Sequence, residues 1–247
     1  MKVGLFIPCY IDQFYPQVGV ATLQILEKLG CEVHFPLKQT CCGQPMANSG
    51  FEHLTQGCNN LFIENFEGLD YIVSPSGSCT LHIKEHLHGE NAKAEGTAKQ
   101  IRGRVYELVE FITDVLKVDN IEASFPHKVG IHQSCHGQRG LKISQMSELN
   151  APHFSKPEQL LKGIKGLELI TLDRRDECCG FGGTFCVTEE AISVKMGKDR
   201  VHDHTKNGVE YITGGDTSCL MHLEGILKRQ NSPLKVIHIA EILNSSI

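Results

Sequence analysis

The sequence has no run of basic residues, no stripe of aromatics beside one, and no long apolar stretch. Lys and Arg are scattered through a chain of net charge −5, so there is no electrostatic footprint for nucleic acid. Its apolar runs are only a few residues long, far short of the about 20 needed to cross a bilayer, which excludes membrane insertion. The start, MKVGLFIPC, places five apolar residues before Cys9, too few for the roughly 7–15-residue core of an export signal. A cytoplasmic, reducing location follows, where patterned cysteines point to metal or catalysis rather than to disulfides. Also missing is any Gly-Lys-Ser/Thr after the glycine-rich stretch Gly180-Phe181-Gly182-Gly183-Thr184, which rules out a phosphate-binding P-loop. Those glycines fit a tight turn or a close approach of backbone to a bound group.

What the chain does contain is cysteine, and in a repeated order. Thr40-Cys41-Cys42-Gly43 recurs as Glu177-Cys178-Cys179-Gly180. Ahead of the pairs lie Lys2-Val3-Gly4-Leu5-Phe6-Ile7-Pro8-Cys9 and Lys128-Val129-Gly130-Ile131-His132-Gln133-Ser134-Cys135; behind them come Ser78-Cys79 and Ser218-Cys219. Eight of the eleven cysteines thus fall into two quartets, Cys9, Cys41, Cys42, Cys79 and Cys135, Cys178, Cys179, Cys219. The offset between copies grows from 126 to 137 to 140. Insertions account for that growth, the larger near Asn150–Pro157.

Strand and helix patterns alternate through both copies. Apolar runs at Val3–Ile7, Glu32–Phe35 and Tyr71–Val73 read as buried strands, and Gln17–Leu29 and Phe51–Asn65 as helices. Cys9 ends the first strand and Cys79 opens a helix running to about His88. Residues 89–103 read as a polar surface loop, and Val105–Leu116 as one amphipathic helix. The second half repeats the order, with strands at Lys128–Gln133, Glu168–Leu172 and Val209–Thr213 and a long helix over Thr188–Lys206. Its Val236–Leu243 echoes Val105–Ile112. The expected fold is α/β: two tandem Rossmann-like parallel-sheet units, residues 1–123 and 124–247, related by a pseudo-two-fold.

In such sheets ligands gather beyond the carboxyl ends of the strands, where each quartet can converge. A helix N-terminus favours the thiolate, the form that binds metal. Zinc and iron–sulfur clusters both take four thiolates. Two adjacent side chains reach two irons of one cluster more easily than two corners of one small tetrahedron, which favours the cluster. A thiol–disulfide reaction at the vicinal pair is a third reading, though it gives Cys9 and Cys79 no role. Two matched frames of four argue against ordinary buried packing.

The frame, a lone cysteine before Cys-Cys-Gly and a further cysteine after it, resembles the CCG cysteine-rich domain family. That domain occurs twice in the heterodisulfide reductase B subunit and in the iron–sulfur subunits of glycolate oxidase and anaerobic glycerol-3-phosphate dehydrogenase. A two-copy chain with nothing else attached, carrying Ser218-Cys219-Leu220-Met221-His222, is most similar to the lactate-utilisation branch. The resemblance implies one or two 4Fe-4S-type clusters per chain on the eight cysteines, with zinc as the alternative. It also implies an electron-transfer role in a complex oxidising L-lactate to pyruvate. The partners would be separate iron–sulfur subunits, since this chain lacks the C-x2-C-x2-C motifs of its larger relatives. In the family the frame closes with C-x-x-C and holds a non-cubane cluster. Here Ser76 and Asp216 replace the first closing cysteine, so a cubane cluster, a labile cluster and zinc stay open.

His82 and His222 each follow the last cysteine of a frame by one helical turn, placed either to hydrogen-bond a cluster sulfur or to serve the core. His82-Ile83-Lys84-Glu85-His86 matches the H-x-x-E-H pattern, but the second half has no counterpart, and it reads as chance. Cys186, Cys31 and Cys58 read as buried bystanders.

Overall fold

The computed structural model describes residues 1–246. Strands β1 (Lys2–Leu5), β2 (Glu32–His34), β3 (Tyr71–Ser74) and β4 (Val105–Glu107) form a parallel sheet of order β2-β1-β3-β4. Strands β5 (Lys128–Ile131), β6 (Glu168–Leu169), β7 (Tyr211–Gly214) and β8 (Lys235–His238) form a second, of order β6-β5-β7-β8. The register repeats as well: Val3 pairs with Tyr71, and Val129 with Tyr211. The α/β architecture with two tandem parallel-sheet units is therefore as the sequence implies. Gly4 and Gly130 occupy equal places because a helix lies close above each. A Cβ on Gly4 would come within 2.6 Å of the Phe66 ring, and one on Gly130 within 2.5 Å of His204 Nδ1.

Several elements differ from expectation. Residues 89–103 are not a loop: Ala92–Arg102 is a helix, capped by the Asn91 side chain accepting from Ala94 N (3.0 Å) and burying Ala98 and Ile101. Val105–Leu116 is not one helix. Val105–Glu107 forms β4 beside β3, where the β-branched Val105 is fully buried. The chain then turns at Glu107, whose carboxylate accepts from Val109 N and Glu110 N, into the helix Leu108–Glu110 and a π-helical turn at Phe111–Val115. Cys9 begins a short helix, Cys9–Phe14, rather than ending a strand. The helix holding Cys79 starts at Gly77, capped by Ser76. The long helix of the second half breaks at Glu189 into Phe185–Thr188 and Glu190–Lys206.

One hydrophobic cluster joins the two halves. Val18, Ala21 and Ile25 of the helix Pro16–Lys28 share it with Ile239 and Ile242, from the helix Ile239–Leu243 at the far end of the chain. Leu108 and Val109 share it with Leu160 and Leu161 of Lys156–Lys162. The helix after each sheet's last strand thus reaches into the common core.

His238 stands where the first half has Glu107. Its Nδ1 accepts from Ala240 N (3.1 Å), and burial lowers its pKa from 6.5 to about 4. Its contribution to stability is complete above pH 6.5 and is lost as pH falls through about 4. At pH 5 the loss is about 2 kcal/mol. Urea unfolding at pH 7 and pH 5 should show a smaller drop in His238→Asn, which keeps the cap without the titration. Glu107 acts in the opposite sense: burial raises it from 4.5 to about 8, so its stabilisation is lost as pH rises through that range.

Candidate metal centres

Both quartets assemble at the carboxyl ends of their sheets. Cys9 follows β1, Cys41 and Cys42 lie in the loop before the helix Gln44–Asn48, and Cys79 is in the first turn of Gly77–His86. Cys135 directly precedes the π-helical turn His136–Gly140, and Cys219 is in the first turn of Thr217–Arg229. Thiol contacts run Cys9–Cys41–Cys42–Cys79 in one half and Cys135–Cys178–Cys179–Cys219 in the other. The Cys9 and Cys41 sulfurs are 3.7 Å apart. All eight thiols are free and line a single cleft of about 980 Å³.

Within each chain of sulfurs the second member accepts from both neighbours, and the fourth accepts from the third. Hydrogen bonds from Cys42 and Cys9 hold the Cys41 thiol far below its usual range, and the Gly43 N–H adds to them. Cys135 and Cys179 do the same for Cys178. The donors are pushed up in turn, Cys9 and Cys42 chiefly by the bond to Cys41 and Cys135 by that to Cys178. A metal binding here displaces those shared protons.

The glycine after each pair explains the Cys-Cys-Gly order. Gly43 and Gly180 have φ of +93° and +88°, which turns their N–H groups back onto the Cys41 and Cys178 sulfurs, each at 3.4 Å. Alanine in this left-handed backbone costs about 1–3 kcal/mol. At Gly180 the added Cβ would also fall 2.6 Å from the Ser193 carbonyl oxygen; at Gly43 the nearest atoms are in the Thr55 side chain at 3.2 Å. Gly180→Ala should therefore lower the melting temperature more than Gly43→Ala, and should lower metal content only in the second quartet.

Ser76 and Asp216 are already engaged. The Ser76 hydroxyl accepts from Cys79 N (3.4 Å). Asp216 Oδ2 accepts from Ser78 N at 2.9 Å, and Oδ1 from Ser78 Oγ at 3.1 Å and Ser218 Oγ at 2.9 Å. This buried carboxylate ties the two cysteine-bearing turns together across the pseudo-two-fold.

The residues behind the second quartet belong to none of the cysteine motifs. His132 is 1 % exposed, its Nδ1 accepts from Arg200 Nε (3.3 Å), and its Nε2 has no partner. A ring nitrogen of His132 and the sulfurs of Cys179 and Cys219 lie within 4.8 Å of one another, the one such triple among the described residues. A signal was present, since the matching residue of the first frame is Phe6.

Other candidates resolve plainly. His222 Nε2 faces the Ser193 carbonyl at 3.4 Å. His82 is buried and stacks on His86, while His86 Nδ1 bonds Glu52 Oε1 at 2.8 Å; the H-x-x-E-H match gathers no metal set. Gly182 and Gly183 also have positive φ, a tight turn that carries Phe181 over to the Tyr10 ring of the other half. Cys186 Sγ is 3.1 Å from the Gly183 carbonyl, Cys31 is in the core, and Cys58 is half-buried.

The residues fit a sulfur-bound metal group: eight unpaired thiols, N–H groups aimed at them, and a buried imidazole nitrogen without a partner. Comparison with known proteins agrees. The cysteine-rich domain, CCG, matches residues 3–84 and 129–224. The chain is 43% identical over 247 residues to lactate utilization protein A of Geobacillus sp. (strain WCH70), covering 99% of this chain and 100% of the relative. It is 42% identical over 247 residues to lactate utilization protein A of Bacillus subtilis (strain 168), with the same coverage. Among solved structures, a hypothetical protein from Helicobacter pylori superposes with a TM-score of 0.62 at 12% identity. That match covers 98% of this chain and 48% of the other, about half its length, and shows the fold alone.

Proposed function

The chain belongs to the CCG cysteine-rich domain family, and we propose that it is the iron–sulfur electron-transfer subunit of a cytoplasmic complex oxidising L-lactate to pyruvate. Membership supports a metal-binding subunit used in lactate utilisation, and no helix among the described residues is long and apolar enough to cross a membrane. The iron assignment rests on one observation, the adjacent pairs Cys41-Cys42 and Cys178-Cys179 in two matched quartets. Two neighbouring side chains reach two irons of one cluster more easily than two corners of the small tetrahedron around a single zinc. Cys9, Cys41, Cys42 and Cys79, and likewise Cys135, Cys178, Cys179 and Cys219, thus suit a multi-iron group.

A bound iron–sulfur cluster would supply one-electron storage at each quartet. The chain's residues hold the thiolates, screen them in a cleft and bring both quartets into it. Oxidising a 2-hydroxy acid releases two electrons and two protons, so the bond-breaking step falls to partner subunits and this chain carries electrons onward. Deleting the gene should abolish growth on L-lactate. A wild-type copy should restore it, a copy with serine at Cys42 and Cys179 should not, and the tagged wild type should co-purify with iron–sulfur partners. Unchanged growth on lactate would defeat the assignment.

A further inference from the structure

The two quartets are not backed alike. Behind the first, Phe6 packs edge-on against Phe62 and Phe66, with ring centroids 5.0 and 5.9 Å away. Behind the second, the same places in the repeat hold His132, Arg200 and His204. The match is direct: a Cβ on Gly4 would strike Phe66, and one on Gly130 would strike His204. Arg200 is entirely buried and bonded at every nitrogen, Nη1 to the Arg174 carbonyl (2.6 Å) and Asp203 (3.2 Å), Nη2 to the Ile131 carbonyl (3.0 Å) and Nε to His132 Nδ1.

Arginine keeps its protons, so Arg200 Nε–H must donate and His132 Nδ1 must accept. A neutral His132 then carries its proton on Nε2, which has no partner and belongs to a ring with a nitrogen within 4.8 Å of the Cys179 and Cys219 sulfurs. A protonated Nε2 is a hydrogen-bond donor and has no lone pair for a metal. Backbone donors do not separate the two sites: Gly180 N–H and Phe181 N–H point at Cys178 and Cys179, each at 3.4 Å, and Gly43 N–H and Tyr10 N–H serve Cys41 and Cys9.

We infer that His132, fixed in its tautomer by Arg200, is a positioning residue that donates Nε2–H to the sulfurs of the second quartet and makes that site the more readily reduced of the two. N–H donors on the sulfurs stabilise the extra negative charge of the reduced state and raise the potential. Electrons then pass from the Cys9–Cys41–Cys42–Cys79 site to the Cys135–Cys178–Cys179–Cys219 site. This rests on the iron–sulfur reading above.

The test is a redox titration of anaerobically purified protein, followed by EPR, with iron and sulfide assayed on the same samples. Wild type should titrate in two waves. In His132→Phe, which copies the first half, the upper wave should fall at least tenfold in its reduction equilibrium, about 59 mV for one electron, while the lower stays. His132→Gln, which can still accept from Arg200 and donate to sulfur, should recover most of the shift. One unsplit wave in wild type, or a split that survives His132→Phe at unchanged iron content, overturns the inference. Protein without sulfide would defeat the iron reading and leave the donor testable by nitrogen-15 NMR of metal-free protein. His132 should then be the Nε2–H tautomer, with a resonance that moves in Cys219→Ala. The Nδ1–H tautomer, or a resonance indifferent to Cys219, would overturn the donor role.

Discussion

Serine at Cys42 alone, or at Cys179 alone, should cut the metal bound per chain by about half, and serine at both should remove nearly all of it. Each of these cysteines is only 2 % exposed and is the third link in its chain of sulfurs, touching Cys41 and Cys79 or Cys178 and Cys219. A hydroxyl is nearly the same size, so the backbone keeps its course, but it is a hard, weakly acidic donor where a soft thiolate is needed. The quartets have separate ligands, so the intact half should stay loaded. Metal analysis of the three variants checks this. Complete loss in either single variant would mean that the quartets hold one shared group across the cleft.

The second large effect concerns folding. Ile242→Ala should destabilise the protein by about 2–5 kcal/mol, the cost of emptying a fully buried aliphatic site. Ile242 is 0 % exposed in the cluster that also contains Val18, Ala21 and Ile25. The strain therefore falls on the opposite half. Hydrogen exchange should quicken in the helix Pro16–Lys28 as much as in Ile239–Leu243, and urea unfolding should stay a single transition. Faster exchange confined to the carboxyl-terminal residues would show that the halves fold independently. We propose 123/124 as the division of the repeat, with a core that spans it.

The doubled frame made the architecture legible because a parallel strand, a crossover helix and a cysteine at the strand's carboxyl end leave a repeated order in sequence. The glycine after each cysteine pair was readable for the same reason. Failures came where tertiary contact outweighed local pattern. Val105–Glu107 carries apolar residues at helical spacing into Phe111 and Ile112, and only the free edge of β3 makes it a strand. Ala92–Arg102 is polar with only Ala98 and Ile101 to bury, so its periodicity was faint. Asp216 was visible as a departure from the family frame, but its bonds to Ser78, 138 residues away, exist only once the halves meet. His132 stood in the quoted frame, and its meaning depended on Arg200, a residue no local motif connects to it.

The most direct measurement is iron and acid-labile sulfide per chain in protein purified without oxygen. Iron with sulfide in comparable amount is the expected result, released when the eight cysteines are alkylated under denaturing conditions. Stoichiometric zinc without sulfide would contradict it.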